Sequence, residues 1–229
     1  VTFSDAADRP LTIKIGRGRN AEEHEITGPA IALPLYEGRM IGQFDFSEKG
    51  WVSGKGRSAV WDKIPWEKKN VNPQYLMGLQ VTYPNMVQDL KLPIMTIGSA
   101  TNSRTLYGAL LDNRPCGNSL NPLNIPIQNQ VPTLCAILNS FLFDSQIRKR
   151  LTGVNINYYI LNESPVLPIE LASSLNFYAS QLAGCDNQFS QIWLKKHENL
   201  KTKSWKQLWA LTEHERLRIR CMIEAVAAK

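Results

Sequence analysis

Pro34-Leu35-Tyr36-Glu37-Gly38-Arg39-Met40-Ile41-Gly42-Gln43-Phe44-Asp45 is the most informative stretch of the chain. Apolar residues lead into a Tyr-Glu-Gly-Arg turn, and a Gln-Phe-Asp segment leads out of it. Gly38 suits a tight turn, and Met40, Ile41 and Phe44 are core candidates around it. Taken alone, the stretch reads as strand, turn and strand.

The surrounding composition sets the class. The chain has 229 residues, 43% of them hydrophobic, enough for one large domain or two small ones with a substantial core. No apolar run approaches the roughly 18 residues of a transmembrane helix, so no membrane partner is expected. The chain starts Val1-Thr2-Phe3-Ser4, with neither an initiator Met nor a signal peptide, and is expected to be a piece of a longer cytoplasmic protein. Its 26 basic and 20 acidic residues leave a net charge of +6, compatible with a polyanionic partner without demanding one. Cys116, Cys135, Cys185 and Cys221 are widely spaced and include no CxxC pair. That suits reduced thiols better than a disulfide framework or a zinc site.

Before the central stretch, Leu11 to Ile15 predicts a strand, followed by a basic Gly16-Arg17-Gly18-Arg19 turn and an acidic patch of Glu22, Glu23 and Glu25. The turn lacks the third glycine and the apolar helix of a dinucleotide-binding loop. After the stretch, Phe44 to Asn70 turns polar, basic and aromatic. Trp51, Trp61 and Trp66 interleave with Lys49, Lys55, Arg57, Lys63, Lys68 and Lys69, and Gly50, Gly54 and Gly56 predict long loops. The tryptophans read either as half-buried anchors or as base-stacking platforms. The cations are what a phosphate-tracking loop needs, because charge neutralisation supplies much of DNA affinity.

Leu92 to Ile97 and Arg104 to Leu111 predict strands on either side of Ser99-Ala100-Thr101-Asn102-Ser103. Arg104 reads either as a phosphate contact or as a buried cation satisfying loop carbonyls. Arg114-Pro115-Cys116-Gly117-Asn118-Ser119 is a second candidate DNA-facing loop. Apolar residues at three- and four-residue steps predict one helix over 131–151, with Pro132 in its first turn. Arg148, Lys149 and Arg150 in its last turn suit the helix dipole, and Arg148 and Lys149 could also contact phosphate. Gly153 then reads as a stop, and Asn155 to Leu161 alternates like a strand. Leu171, Leu175, Tyr178 and Leu182 predict a helix. A basic linker, Lys195 to Lys206, and a helix over Gln207 to Ala228 complete the chain.

Catalytic motifs are missing. Asn72-Pro73-Gln74-Tyr75 approaches the Asn-Pro-Pro-Tyr/Phe loop of adenine methyltransferases, but Gln74 replaces the second proline and no buried apolar strand precedes it. His24, His197 and His214 show no ligand spacing, so no metal site is expected. Glu67-Lys68-Lys69 matches the acid-x-Lys end of a nuclease motif, yet Asp62 lies too close to be its upstream acid. No catalytic residue is assigned, and no enzymatic activity is expected of this chain alone.

Four stretches carry a family resemblance. "PLYEGRMIGQFD" resembles the "LYEGKMIxQFDH" signature of large single-chain adenine-N6 DNA methyltransferases, the type IIG restriction–modification and phage-exclusion enzymes. "SATNSRTLYGALL" is similar to their "xxTNxRTxIAAxIP". "LNSFLFDSQIRKRLTGVNINYYILNESPVLP" is similar to their "LNSxxFDYxxRxKxGGTNLNYFxLxQLPVLP", and the segment from Glu213 to Ala227 resembles their closing "ERxRLRAEIDAxVAxLYGL". The order is the family's, over roughly residues 30–228.

The resemblance implies a C-terminal target-recognition domain. Its expected fold is α+β, with a curled mixed β-sheet resembling a half-barrel and C-terminal helices after it. Residues 1–29 would be a lead-in, 30–165 the β-rich recognition domain with the helix near 131–151, and 166–229 the helical part. Double-stranded DNA would be the partner, together with the N-terminal methyltransferase domain of the same parent chain. S-adenosylmethionine would belong to that absent catalytic domain, and the parent could also cleave DNA. Lys49, Lys55, Arg57, Lys63, Lys68, Lys69, Arg104, Arg114 and Asn118 are the expected DNA contacts, with Arg148 and Lys149 as further phosphate contacts. Tyr36, Glu37, Gly38 and Arg39 are assigned to the junction with the catalytic domain. The alternative is a protein-interaction module that docks the methyltransferase into a defence complex.

Overall fold

The computed structural model describes residues 12–15, 22–25, 32–78, 90–168, 173–190, 193–194 and 204–228. The Gly16–Arg19 turn, Leu171 and residues 195–203 of the basic linker lie outside them. The described residues form a mixed α+β structure of small antiparallel sheets followed by helices.

Among the described residues, four separate antiparallel sheets stand where a single curled, mixed sheet was expected. β1 (Thr12–Ile15) pairs with β2 (Glu22–Glu25), so the acidic patch is a strand. β3 (Ala32–Leu35) pairs with β6 (Tyr75–Gly78), and β4 (Lys49–Ser53) with β5 (Val60–Lys63). β7 (Leu90–Met95) lies between β8 (Leu111–Asp112) and β9 (Leu120–Leu123). Among the described residues, the one parallel pairing is the bridge from Tyr36 to Cys116. Pro93 faces Pro122 across β7 and β9; the Pro93 carbonyl accepts the Ala109 N–H on the other side of β7, so this rung needs no N–H from either proline.

Several sequence expectations are corrected. Arg104 to Leu111 is not a strand: it touches β7 through one bridge, Gly108 to Ile94, before β8 begins. The predicted 131–151 helix is two helices, α1 (Val131–Leu138) and α2 (Phe141–Arg150). Polar bonds at the break outweigh the continuous apolar pattern. Asn139 Nδ2 donates to the Gly108 carbonyl at 2.9 Å while its Oδ1 accepts the Gly108 N–H at 3.1 Å. Ser140 then caps α2 by accepting the Phe143 N–H. Asn155 to Leu161 is not a strand either: α3 (Tyr158–Asn162) begins there, because packing buries the adjacent Ile160 and Leu161, which strand alternation would separate.

The core is continuous through these parts. Leu92 and Ile94 of β7 meet Val131, Cys135 and Ala136 of α1 and the fully buried Tyr36 and Met40. α4 (Ser173–Ala183) packs on α1, and α5 (Glu213–Ala227) packs on α4. α5 buries Ile219, Ile223 and Ala227, a four-residue step that forms one helix face. It starts at Glu213 instead of Gln207, because Thr212 and Glu215 form a capping box; Trp205–Leu208 is a single 3-10 turn before it.

The central stretch is fixed to that core. β3 ends in a 3-10 turn, Gly38–Met40, and a turn in which Gly42 and Asp45 exchange backbone bonds of 2.9 and 3.2 Å replaces the expected second strand. Phe44 adopts a φ of 57° there and donates its N–H to the Gly108 carbonyl. Gln43 Nε2 reaches the Asn139 carbonyl at 2.9 Å, so the turn is tied to the break between α1 and α2.

Candidate nucleic-acid interface

The Phe44–Asn70 segment contains a β-hairpin where long loops were expected. Lys49 faces Lys63, Gly50 faces Asp62 and Trp51 faces Trp61, with a bulge between Trp51 and Ser53. The tip is built on Gly54 and Gly56 at φ values of 76° and 57°, a region that side chains disfavour. Trp51 Nε1 donates to the Gly54 carbonyl at 2.9 Å, and the Ser58 hydroxyl donates to the Lys55 carbonyl at 2.9 Å. These bonds hold the tip in one shape.

Lys49, Lys55, Arg57 and Lys63 are exposed on this hairpin, and Lys68 is exposed on the 3-10 turn Trp66–Lys68 that follows. None of the five makes an ion pair among the described residues. Lys49 and Lys63 are also directly opposite, a like-charge pair whose repulsion the neighbouring Glu48 carboxylate offsets in part. Trp61 and Trp66 pack against the core, which favours the anchor reading for both, and Trp51 is half-buried.

The four residues expected at a domain junction lie differently from one another. Tyr36 is fully buried and Gly38 is buried, Glu37 is half-buried, and Arg39 faces outward. Tyr36 donates its N–H to the Pro115 carbonyl at 2.9 Å and accepts the Gly117 N–H at 2.8 Å. The Gly38 N–H donates to Ser119 Oγ at 2.9 Å, and a Cβ at Gly38 would come 2.9 Å from the Ser119 carbonyl oxygen. The glycine is therefore required for close approach, beyond any turn. Burial pushes the Tyr36 hydroxyl well above the ordinary tyrosine range, against the lowering effect of Arg114.

Arg39 Nη1 reaches the Gly56 carbonyl at 3.4 Å, so the central turn touches the hairpin tip on one side and the Arg114–Ser119 loop on the other. Gln74 Nε2 approaches the Gly54 carbonyl at 3.4 Å, which places the Asn72–Tyr75 segment alongside the same tip. Asn118 is exposed on its loop, whereas Arg114 is paired with Asp112 at 2.8 Å. Two candidate loops thus share one neighbourhood. The sequence separated Arg39 from the cationic loop; the only signal linking them was the glycine-rich tip, whose carbonyls are open to a donor.

The remaining candidates have internal partners. Lys69 Nζ lies 2.6 Å from Asp45 Oδ2, donates to the Ser47 carbonyl at 2.7 Å, and has a side chain only 3% exposed. Burial lowers its pKa, while Asp45 opposes the shift. Arg104 is buried, 3.0 Å from Glu224 on α5, with its guanidinium 3.3 Å from the Phe141 ring centroid. Arg148, not Arg104, satisfies the loop carbonyls: it donates to Ala100 at 2.5 Å and Asn102 at 3.0 Å and pairs with Asp144 at 2.9 Å. Lys149 is exposed at the end of α2.

Among the described residues, no group of three or more His, Cys, Asp or Glu side chains is placed to hold a metal ion, and no helix is long and apolar enough to cross a membrane. The geometry defines an α+β protein with an outward basic hairpin braced by a buried turn. No known protein family, characterised protein or solved structure matches the chain.

Proposed function

We propose that this chain is the sequence-specific double-stranded DNA recognition part of an adenine-N6 DNA methyltransferase or restriction–modification enzyme. The observation that carries the reading is the set of five exposed cations on one hairpin and its following turn, none of which makes an ion pair among the described residues. Lys49, Lys55, Arg57, Lys63 and Lys68 take the phosphates, and Arg39 and Asn118 flank them. A two-stranded ribbon fits the major groove, where base edges are distinguishable. The sheet around β7 is the counterpart of the curled sheet in such recognition domains. Methyl transfer from S-adenosylmethionine belongs to a separate catalytic domain of the parent protein, and this part positions the target adenine for flipping.

The test is anisotropy and retention of a randomised duplex library at several salt concentrations, with wild type and the Lys55→Ala/Arg57→Ala variant. The expected result is an enriched asymmetric motif containing adenine. The variant should bind more weakly, and its salt slope should be shallower by about 0.9 per lost phosphate contact. Unchanged affinity and slope would remove the hairpin from the interface. Failure of the wild type to bind at low salt would favour a protein-docking module.

A further inference from the structure

A second surface lies apart from the hairpin in its contacts, built where three segments join. Ile97 bridges Asn155, the Gly98 N–H donates to the Val154 carbonyl at 2.8 Å, and the Ile156 N–H donates to Thr96 at 2.8 Å. Arg148 ties the end of α2 to the Ala100–Asn102 loop, and Arg150 Nη1 ties it to the Glu163 carbonyl at 2.7 Å. Tyr158 Oη donates to the Pro122 carbonyl at 3.2 Å, anchoring the start of α3 to β9. The surface is therefore fixed from several sides.

Its exposed groups are an unusual mixture. Ile97, Val154, Tyr158 and Tyr159 are 58%, 52%, 45% and 56% exposed. Asn155 and Asn157 are exposed between them, and their carboxamides make no hydrogen bond among the described residues. Lys149 and Arg150 are exposed at the end of α2, and Arg150 reaches Glu163, whose N–H donates to the Tyr159 carbonyl. Glu163 is the nearby acid, 4.0 Å from Arg150, which leaves Lys149 without an acidic partner among the described residues.

Each component has a counterpart in an unstacked nucleotide. An aromatic ring offers a stacking face, a carboxamide pairs with a base edge, and a cation neutralises the phosphate. A protein partner would use the apolar groups and carboxamides as well, but protein interfaces are depleted in Lys, whereas a phosphate calls for a cation such as Lys149. We propose that this surface binds unpaired nucleotides, with Tyr159 as the stacking platform, Asn155 and Asn157 as edge contacts, and Lys149 and Arg150 on the backbone. The inference rests on the DNA-recognition reading, because a base flipped from the duplex leaves unstacked nucleotides for such a surface to hold.

The experiment compares three probes by anisotropy: a paired duplex, the same duplex with one extrahelical base, and a single-stranded oligonucleotide. Wild type should bind the bulged duplex more tightly than the paired one and should bind the single strand. Tyr159→Ala should weaken binding to the bulged duplex and the single strand about tenfold, with paired-duplex affinity unchanged. Tyr159→Phe should retain wild-type binding, because the ring remains. Lys55→Ala/Arg57→Ala should instead weaken paired-duplex binding. Because Tyr159 is exposed, its variants should keep the wild-type melting temperature, a control for folding. Equal single-strand binding by wild type and Tyr159→Ala would overturn the inference while leaving the DNA reading intact. Wild-type duplex binding without preference for the bulge or single strand would also overturn it and assign the surface to a protein partner. Loss of wild-type binding to all three probes would overturn both readings.

Discussion

The Arg216 guanidinium sits 3.7 Å from the ring centroid of Trp66, joining the C-terminal helix to the turn that follows the basic hairpin. Arg216 is buried and donates to the Leu182 and Ala210 carbonyls, each at 2.9 Å, so its position is set by α4 and the chain before α5. Lys69 Nζ approaches the same ring at 4.4 Å. Trp66 is therefore a fastening between the cationic surface and the helical part. Its Trp→Ala variant should lose about 3 kcal/mol of stability, measured by urea unfolding, through lost packing and a vacated cation–π contact. A loss within experimental error would show that the contact is not formed in solution.

The Asn139 side chain pairs with both backbone groups of Gly108. Asn139→Ala would leave the Gly108 N–H without a partner, while the Gly108 carbonyl keeps the Phe44 N–H, at a cost of about 2 kcal/mol. Chemical denaturation should show a lower midpoint with an unchanged slope. Hydrogen exchange should quicken at the Gly108 amide.

Lys63 and Lys49 face each other, with the Glu48 carboxylate near enough to feel the charge of both. Lys63→Ala should leave folding unchanged or raise stability by about 0.5 kcal/mol, because like charges opposite one another repel. The same variant should bind duplex DNA more weakly. Calorimetry and anisotropy on one preparation would separate the two effects; a loss of stability would show that Lys63 has a structural partner.

Glu215 accepts from the N–H groups of Leu211 and Thr212 and from the Thr212 hydroxyl. These bonds, led by the Thr212 N–H, hold its carboxyl below the ordinary glutamate range. A depressed folded-state pKa contributes stability that is full above the unfolded value, near 4.3, and disappears as pH falls through the lower folded value. The first turn of α5 should therefore fray in that acid window. Glu215→Gln should lose the pH-dependent component, measured by hydrogen exchange across an acid titration.

The sequence revealed elements better than their ends. The helices α4 and α5 were legible because each buries one face, whereas β7, expected over Leu92 to Ile97, spans Leu90–Met95 and buries Leu92, Pro93 and Ile94 in succession. Regular apolar spacing also marked 131–151 as helical, but the break at Asn139 depends on Gly108, a residue 31 positions away that no local pattern announces. Tyr158 to Leu161 looked like a strand because aromatic and branched residues favour one, whereas tertiary packing chose a helix. At the candidate site, five exposed cations were legible as charge, while the internal partners of Lys69, Arg104 and Arg148 were not. Pairing depends on Asp45, Glu224 and backbone carbonyls brought close only by folding.

Glu224 has a consequence for the order of synthesis. It accepts the Phe141 N–H through both carboxylate oxygens, at 3.0 and 2.8 Å, and neutralises Arg104. These groups leave the ribosome long before residue 224 does. Until then, the start of α2 lacks this acceptor and Arg104 lacks its counter-charge. The middle of the chain thus remains incomplete until α5 has been made and supplies the missing carboxylate.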